Sequence, residues 1–205
     1  HVLHGLSLGN DRAVESDCRD ATSVSRCEYS RRHGRIGCLC GFSAALIWRA
    51  QRADGRFAPV PKSTVFPCQT IHTAKTLCYL GYAGDDRLAG TFSHLLAAQH
   101  ADGGWRCNKF FFGRGPETEA SNPGPTLTAL DAFRFTPHAN ADGRLDRAAA
   151  FLLGHWTTRA PLGPCHYGIG TLFHQVAFPF LSYNLLYYVF VLSFYGAARR
   201  DPRFL

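Results

Sequence analysis

The sequence predicts an all-α protein built from repeated helical hairpins. Period-2 alternation of apolar and polar residues, which marks half-buried strands, is nearly absent. Two helical stretches end in turns of the same pattern, Gln51 to Phe57 and Gln99 to Trp105, which lie 48 positions apart. A fixed period of this size with a helix in each unit is typical of repeat proteins.

The composition indicates a folded, basic protein. Of 205 residues, 46% are hydrophobic and 18% are charged, and the formal net charge is +7. An excess of basic side chains can attract nucleic acid, an anionic membrane surface or a phosphorylated substrate. The arginines are scattered and form no stripe interleaved with aromatic residues, so we expect no nucleic-acid binding. No apolar run reaches the roughly 18 residues of a membrane span, so we expect no transmembrane segment.

The helical pattern becomes clear partway along the chain. Residues 1–36 have poor periodicity and are predicted to be irregular, whereas residues 37–205 are predicted to form the repeat domain. Outer helices are predicted at 42–51, 92–99 and 145–155, and more apolar inner helices at 70–82, 125–135 and 184–198. Gly55 and Gly103 are expected to take the left-handed conformation that ends a helix. A third turn, at Trp156–Arg159, departs from the pattern.

At Leu95–Trp105 and Ile47–Phe57 the chain resembles the terpenoid cyclase and protein prenyltransferase superfamily, whose repeat reads L-x-x-Q-x-x-D-G-G-W/F. The resemblance covers roughly residues 40–200. It implies an α/α toroid, in which inner helices ring a central cavity and outer helices surround them. The chain carries fewer hairpins than a complete ring, which implies a partial or truncated toroid, or a homo- or hetero-oligomer that completes it. The repeat indicates a fold and leaves the chemistry open.

A narrower resemblance follows the second turn. The run Arg106-Cys107-Asn108-Lys109 is similar to one in farnesyltransferase β subunits, where the Arg and the Lys contact the isoprenoid diphosphate and a following Asp-x-Cys pair binds catalytic zinc. Arg106 and Lys109 match the basic positions, whereas Phe110–Phe112 stand where the zinc pair would follow. The Asp-x-Asp-Asp acid motif of class II cyclases is not found in the sequence either.

The loop from Arg106 to Pro125 is the first candidate ligand-binding segment, because long charged loops in compact domains are often functional. Its basic side chains Arg106, Lys109 and Arg114 could hold a diphosphate. The alternative is a solvated connection whose Arg and Glu side chains pair with one another. A glycan-active enzyme would need paired carboxylates, for which Glu117 and Glu119 are the close pair in this loop.

Tyr183 and Tyr187 belong to an aromatic wall along the last inner helix. The electron-rich faces of such rings could grip a prenyl chain or stabilise a carbocation. Aromatic residues at helical spacing also occur in ordinary cores. Both interpretations stay open at this point.

Cysteine and histidine residues gather in the outer-to-inner connections, which lie at one end of a toroid. Cys68, His72, Cys107 and Cys165 are the candidate metal ligands, since thiolate and imidazole suit tetrahedral zinc and His72 lies one helical turn after Cys68. The alternative is that the thiols pack as small hydrophobic groups.

His166 and Tyr167 are the candidate catalytic pair, because adjacent imidazole and phenol groups can exchange protons with a substrate. The alternative is a pair of structural hydrogen-bonding groups.

These features predict a prenyltransferase-like or terpene-cyclase-like protein that binds an apolar ligand with an anionic head, with zinc or magnesium as an optional ion. The alternative is a non-catalytic toroid that binds a protein partner. We expect a cytoplasmic location, because the eight cysteines are taken as reduced thiols and no signal peptide is visible.

Overall fold

A computed structural model of the chain describes residues 35–58, 60, 63–107, 119–165, 167–179 and 182–205. The chain divides into two compact units, His1–Arg49 and Ala50–Leu205. In the first unit the described part is one helix, α1 (Arg35–Trp48). Of the segment 1–36 that the sequence predicts to be irregular, residues 1–34 lie outside the described residues, and α1 begins at Arg35.

Within its described residues the second unit is all-α, as the sequence predicts. Its helices are α2 (Pro67–Leu77), α3 (Asp86–Ala97), α4 (Pro123–Phe133), α5 (Gly143–Thr158), α6 (Leu185–Leu192) and α7 (Gly196–Arg199). A π-helical turn (Cys78–Tyr82) extends α2, and a 3₁₀ turn (Pro137–Asn140) precedes α5. None of the described helices is both long enough and apolar enough to cross a membrane.

Helix α4 lies at the centre of this unit. It contacts α2, α5 and α6, and ten of its eleven residues are buried. Helix α3 packs beside α2, and α7 packs beside α5. The predicted inner helices α2, α4 and α6 therefore contact one another in chain order, and within this unit α3 and α5 each lie beside the predicted inner helix that precedes them.

The two glutamines of the repeated turns make equivalent hydrogen bonds. Gln51 Nε2 donates to the carbonyl of Arg87 at 2.8 Å, and Gln99 Nε2 donates to the carbonyl of Arg144 at 2.7 Å. Arg87 and Arg144 lie in the first turns of α3 and α5. Each turn is thereby joined to the start of the next outer helix.

The aromatic residues of the turns are held in the same equivalent way by inner helices. The backbone N–H of Phe57 donates to Thr70 Oγ1 at 3.2 Å, and that of Trp105 donates to Thr126 Oγ1 at 3.0 Å. Both rings are buried. Burial of such large rings supplies much of the core's hydrophobic stabilisation. The aromatic position of the pattern therefore has a packing role.

The last predicted inner helix is interrupted. The sequence predicts one helix over 184–198, whereas α6 ends at Leu192 and α7 begins at Gly196. The break has a local cause, since Asn140 Oδ1 accepts the Gly196 N–H at 2.7 Å and Asn140 Nδ2 donates to the Phe194 carbonyl at 3.1 Å. These side-chain bonds replace backbone bonds that a continuous helix would make.

Candidate functional site

A cleft of about 240 Å³ opens beside the first two turns of α2, α4 and α6. It is lined by residues of these three helices and of the loop that precedes α6: His72, Gly124, Pro125, Thr128, Tyr167, Ser182, Tyr183 and Tyr187. Four of the residues that the sequence singles out, His72, Tyr167, Tyr183 and Tyr187, lie in this cleft. A larger groove of about 460 Å³ runs along residues 159–172, but it is more open to solvent.

The two tyrosines predicted to contact a ligand are fixed by hydrogen bonds at the back of the cleft. Tyr187 Oη donates to Asp131 Oδ2 at 2.9 Å, and Tyr183 Oη lies 2.9 Å from Nδ1 of the buried His155. His155 Nε2 lies 3.0 Å from the carbonyl of Ala160, which can only accept, so Nε2 carries the proton and Nδ1 accepts from Tyr183. Burial raises the pKa of both tyrosines, and they therefore stay protonated near neutral pH.

Asp131 is a fully buried carboxylate on α4 that organises the floor behind Tyr187. Besides Tyr187, it accepts a hydrogen bond from Tyr79 Oη at 3.1 Å and from Arg134 Nε at 2.7 Å. Buried charges are costly unless they are paired and hydrogen-bonded, and the Arg134 guanidinium with two phenols meets that requirement. The network holds the Tyr187 ring in one orientation.

Lys75 places a positive charge next to Tyr187, although it is not itself one of the residues that line the cleft. Its Nζ donates to Tyr187 Oη at 3.5 Å and lies 5.1 Å from the centre of that ring. Burial lowers the pKa of Lys75, while the charge of Asp131 opposes that shift. His72 lies one helical turn earlier, and its pKa is also lowered, by the surrounding protein and by the charge of Lys75. Within the described residues Lys75 forms no salt bridge with a carboxylate.

Of the predicted catalytic pair, Tyr167 is described and His166 lies outside the described residues. Tyr167 is half-buried, and its backbone pairs with Leu162 through hydrogen bonds of 2.9 and 3.1 Å. Its ring covers Gly124, where an added Cβ would lie 2.7 Å from a ring carbon. Burial raises the pKa of Tyr167, so the phenol can donate a hydrogen bond into the cleft but is a poor base.

The basic loop is described only at its two ends. Arg106 pairs with Glu119 at 3.0 Å, which corresponds to the internally paired alternative for that side chain. Lys109 and Arg114 lie outside the described residues, so their predicted contact with a diphosphate stays a prediction. The Arg106 side chain is mostly shielded from solvent, while that of Glu119 is exposed.

The structure brings two of the predicted metal ligands into direct contact. The Sγ atoms of Cys68 and Cys107 lie 3.3 Å apart, and their hydrogen bond and burial raise the pKa of Cys68, with a smaller contribution from the nearby Cys165. Over the described ranges no group of three or more His, Cys, Asp or Glu side chains is arranged to hold a metal ion. His72 faces the tyrosine cleft. The four predicted ligands are thus not assembled into one metal site there.

Three residues of this region, Asp131, Lys75 and His155, were missed by the sequence analysis. Asp131 carried a usable signal, because it is a single acidic residue within the apolar run from Leu127 to Phe133. A charge in such a run is either exposed on one face or held by partners. Lys75 and His155 carried no comparable signal, since each lies in a helix of mixed polarity.

The geometry described above stands without a matching relative. No protein-family model, no curated protein and no solved structure matches this chain.

Proposed function

We propose that the chain is an arc of an α/α toroid that binds an isoprenoid-like ligand, with an apolar chain and an anionic head, in the cleft between α2, α4 and α6. The observation that carries the proposal is the cleft itself, whose wall contains Tyr167, Tyr183 and Tyr187. Small-molecule sites are usually concave and combine aromatic side chains with a few convergent polar groups, and this cleft has both. The resemblance of the two turns to the prenyltransferase and cyclase repeat supports the ligand class.

The residues in and around the cleft suit a ligand that has two chemically different parts. Tyrosine rings offer faces on which an unsaturated chain packs, while their hydroxyl groups are already bonded to His155 and Asp131. Lys75 supplies a half-buried positive charge beside Tyr187, from where it favours an anionic head group through its field without lining the cleft. Arg106, Lys109 and Arg114 are further cations proposed for a longer head.

The size of the cleft favours a short ligand. Pockets for drug-sized molecules are roughly 300–1,000 Å³, and this cleft is about 240 Å³. A geranyl chain with its head group therefore fits better than a longer prenyl chain, unless the chain extends beyond the cleft. The proposal concerns binding, and it includes no reaction step, because Tyr183 and Tyr187 already donate to His155 and Asp131 and the protonated Tyr167 is a poor base.

The experiment measures thermal unfolding with geranyl diphosphate, farnesyl diphosphate, geraniol and inorganic pyrophosphate. A ligand present at about one hundred times its Kd raises Tm by roughly 5–10 °C in a domain of this size. We expect the largest shift with geranyl diphosphate and smaller shifts with the alcohol or pyrophosphate alone. Shifts no larger than those of unrelated anions would overturn the proposal.

A matched pair of variants locates the binding site. Ser182→Trp places a large ring in the cleft at an exposed position, and Ser93→Trp places the same ring on the exposed face of α3. We expect Ser182→Trp to weaken binding at least tenfold and Ser93→Trp to leave it unchanged. Equal affinities for the two variants would place the ligand elsewhere.

A second function is favoured by one surface feature. Leu172, Val176 and Phe178 are 78%, 71% and 78% exposed within a single loop. Exposed apolar clusters often mark protein-binding surfaces, as the alternative of a non-catalytic partner-binding toroid requires. Under this alternative, diphosphate ligands cause no shift, and a triple substitution of the loop to serine abolishes partner capture while Tm is unchanged. Native mass spectrometry of the unsubstituted chain tests whether several chains complete a ring.

A further inference from the structure

Two thiols from distant parts of the chain meet beside the cleft. Cys68 is the second residue of α2, directly after Pro67, and Cys107 lies 39 positions later in the chain. Their Sγ atoms are 3.3 Å apart. A disulfide bond needs about 2.05 Å between sulfur atoms, so the two atoms must approach by only about 1.3 Å.

The backbone on both sides of this contact is anchored. The Cys107 N–H donates to Asn122 Oδ1 at 2.8 Å, and the carbonyl of Trp105 accepts from the Asn122 N–H at 3.0 Å. On the other side, Thr70 in the first turn of α2 holds the Phe57 N–H at 3.2 Å. The contact between Cys68 and Cys107 is therefore a consequence of the packed fold on both sides.

The two thiols differ in access. Cys68 is half-buried, whereas Cys107 is 5% exposed. A small reagent therefore reaches Cys68 first, and Cys107 lies directly behind it as the group that can react next. This arrangement of an accessible thiol with a resolving thiol is the one that dithiol redox pairs use.

We propose that Cys68 and Cys107 form a site of reversible disulfide formation with small disulfide oxidants such as oxidised glutathione. In the first step the Cys68 thiolate attacks one sulfur of the oxidant, which releases one reduced glutathione and leaves a mixed disulfide. In the second step the Cys107 thiolate attacks Cys68 Sγ, which releases the second reduced glutathione. The two protein thiols lose two protons and two electrons, and the oxidant gains them.

The reaction is expected to depend on pH. The hydrogen bond with Cys107 and burial both raise the pKa of Cys68 above its usual value. The thiolate is the reactive form, so its small population limits the rate near neutral pH. The rate should rise about tenfold for each pH unit in this range, since the thiolate fraction rises by that factor.

The bond would join the start of α2 to the segment that leads toward α4. It closes a loop of about 40 residues, for which the chain-entropy argument predicts a Tm higher by roughly 5–15 °C in a domain of this size. The cleft lies between these two helices, so oxidation would also restrain one of its walls.

The test treats the full chain with oxidised glutathione at pH 8, followed by alkylation of remaining thiols, peptide mapping and thermal unfolding. We expect a Cys68–Cys107 disulfide, a higher Tm, and return to the starting state with dithiothreitol. Cys68→Ser should remove both the bond and the rise in Tm. The control is Cys78→Ala, because Cys78 is a buried thiol in the π-helical turn that follows α2, and its Sγ contacts the Ala132 carbonyl.

Three outcomes would overturn the proposal. Mapping could place Cys68 in a bond with Cys165, which lies close enough to influence its pKa. Both thiols could remain alkylatable after prolonged oxidation of the folded protein. The rise in Tm could also persist in Cys68→Ser. If Cys68→Ser does not fold, as judged by circular dichroism, Cys107→Ala replaces it and the same mapping of the unsubstituted chain still decides the result.

Discussion

At the scale of single residues, the glycines of the two repeated turns carry two constraints at once. Gly55 and Gly103 have φ values of 82° and 96°, in the left-handed region that side chains rarely adopt. An added Cβ at Gly55 would lie 2.7 Å from the backbone of Gly90, and at Gly103 it would lie 2.7 Å from the carbonyl oxygen of Arg147. The turn pattern predicts the first constraint, and the second exists only because the turn packs against the next outer helix.

We predict that Gly103→Ala destabilises the protein by about 2–4 kcal/mol, from the left-handed backbone and from the clash with Arg147. Gly154→Ala is the matched control, since Gly154 lies within α5 with nothing near its added Cβ. The Gly154→Ala variant should be more stable than the unsubstituted protein by about 0.5–1 kcal/mol, because alanine favours the helical conformation more than glycine does. Urea unfolding followed by circular dichroism measures both. Equal effects in the two variants would contradict the role of the turn.

His155 is a second residue whose role depends on its surroundings. It is 2% exposed, and both ring nitrogens are used, by Tyr183 at 2.9 Å and by Ala160 at 3.0 Å. Burial lowers its pKa below the ordinary value, although the carbonyl of Ala160 opposes that shift. The neutral ring is the one that fits, because a charged ring would turn both nitrogens into donors and break the bond from Tyr183.

We predict that His155 makes stability depend on pH. The unfolded chain binds a proton as the pH falls through about 6.5, while the folded ring binds it only at lower pH. The contribution of the neutral His155 ring to the free energy of unfolding is therefore complete above that pH and is lost below it. The free energy of unfolding falls by up to about 1.4 kcal/mol per pH unit in this range. Urea unfolding from pH 5 to 8 should show a flatter profile for His155→Gln than for the exposed control His138→Gln. Parallel pH profiles for the two variants would contradict this role of His155.

At the scale of elements, the starts of α3 and α5 share a capping arrangement that the sequence analysis did not use. The side chains of Asp85 and Asp142 accept from the backbone N–H of Arg87 and Arg144, and each carboxylate also pairs with that arginine, at 2.8 Å and 2.6 Å. An Asp at this position satisfies a free donor of the first helical turn. These Asp-x-Arg triplets explain why both helices begin earlier than predicted. Helix α3 begins at Asp86, before the predicted position 92, and α5 begins at Gly143, before the predicted position 145.

Asn122 has a different task at the start of α4. Its side chain is fully buried and does not cap the helix, but its Oδ1 accepts the Cys107 N–H at 2.8 Å. Its backbone N–H donates to the Trp105 carbonyl at 3.0 Å. One residue thus joins the end of the second repeated turn to the first residue of the central helix.

We predict that Asn122→Ala costs about 1–3 kcal/mol, because it leaves the buried N–H of Cys107 without this acceptor. Asn140→Ala is the control, since Asn140 makes two comparable bonds, to Phe194 and Gly196, at an exposed position where water can replace them. Its cost should stay below about 1 kcal/mol. Denaturant unfolding of both variants gives the comparison, and a larger loss in Asn140→Ala would contradict the argument.

At the scale of the whole described unit, the cleft is formed by residues far apart in the chain. His72, Thr128 and Tyr187 come from three helices, and Ser182 and Tyr183 come from the loop before α6. Helical periodicity finds the helices because it depends on local spacing. It does not find the loop conformation at 159–183, which is set by contacts such as the bond from the Leu185 N–H to the Phe173 carbonyl at 2.7 Å.

The sequence by itself determined the all-α class, the positions of the helices to within several residues, and the two repeated turns. These follow from local chemistry: apolar spacing, glycine conformation and the burial of Phe57 and Trp105. Tertiary structure decided which polar groups meet. It brought Arg106 to Glu119 and Cys68 to Cys107. It also placed His72 in the lining of the tyrosine cleft and bonded Tyr187 to Asp131. Such pairings depend on how whole helices pack, and no local pattern encodes them.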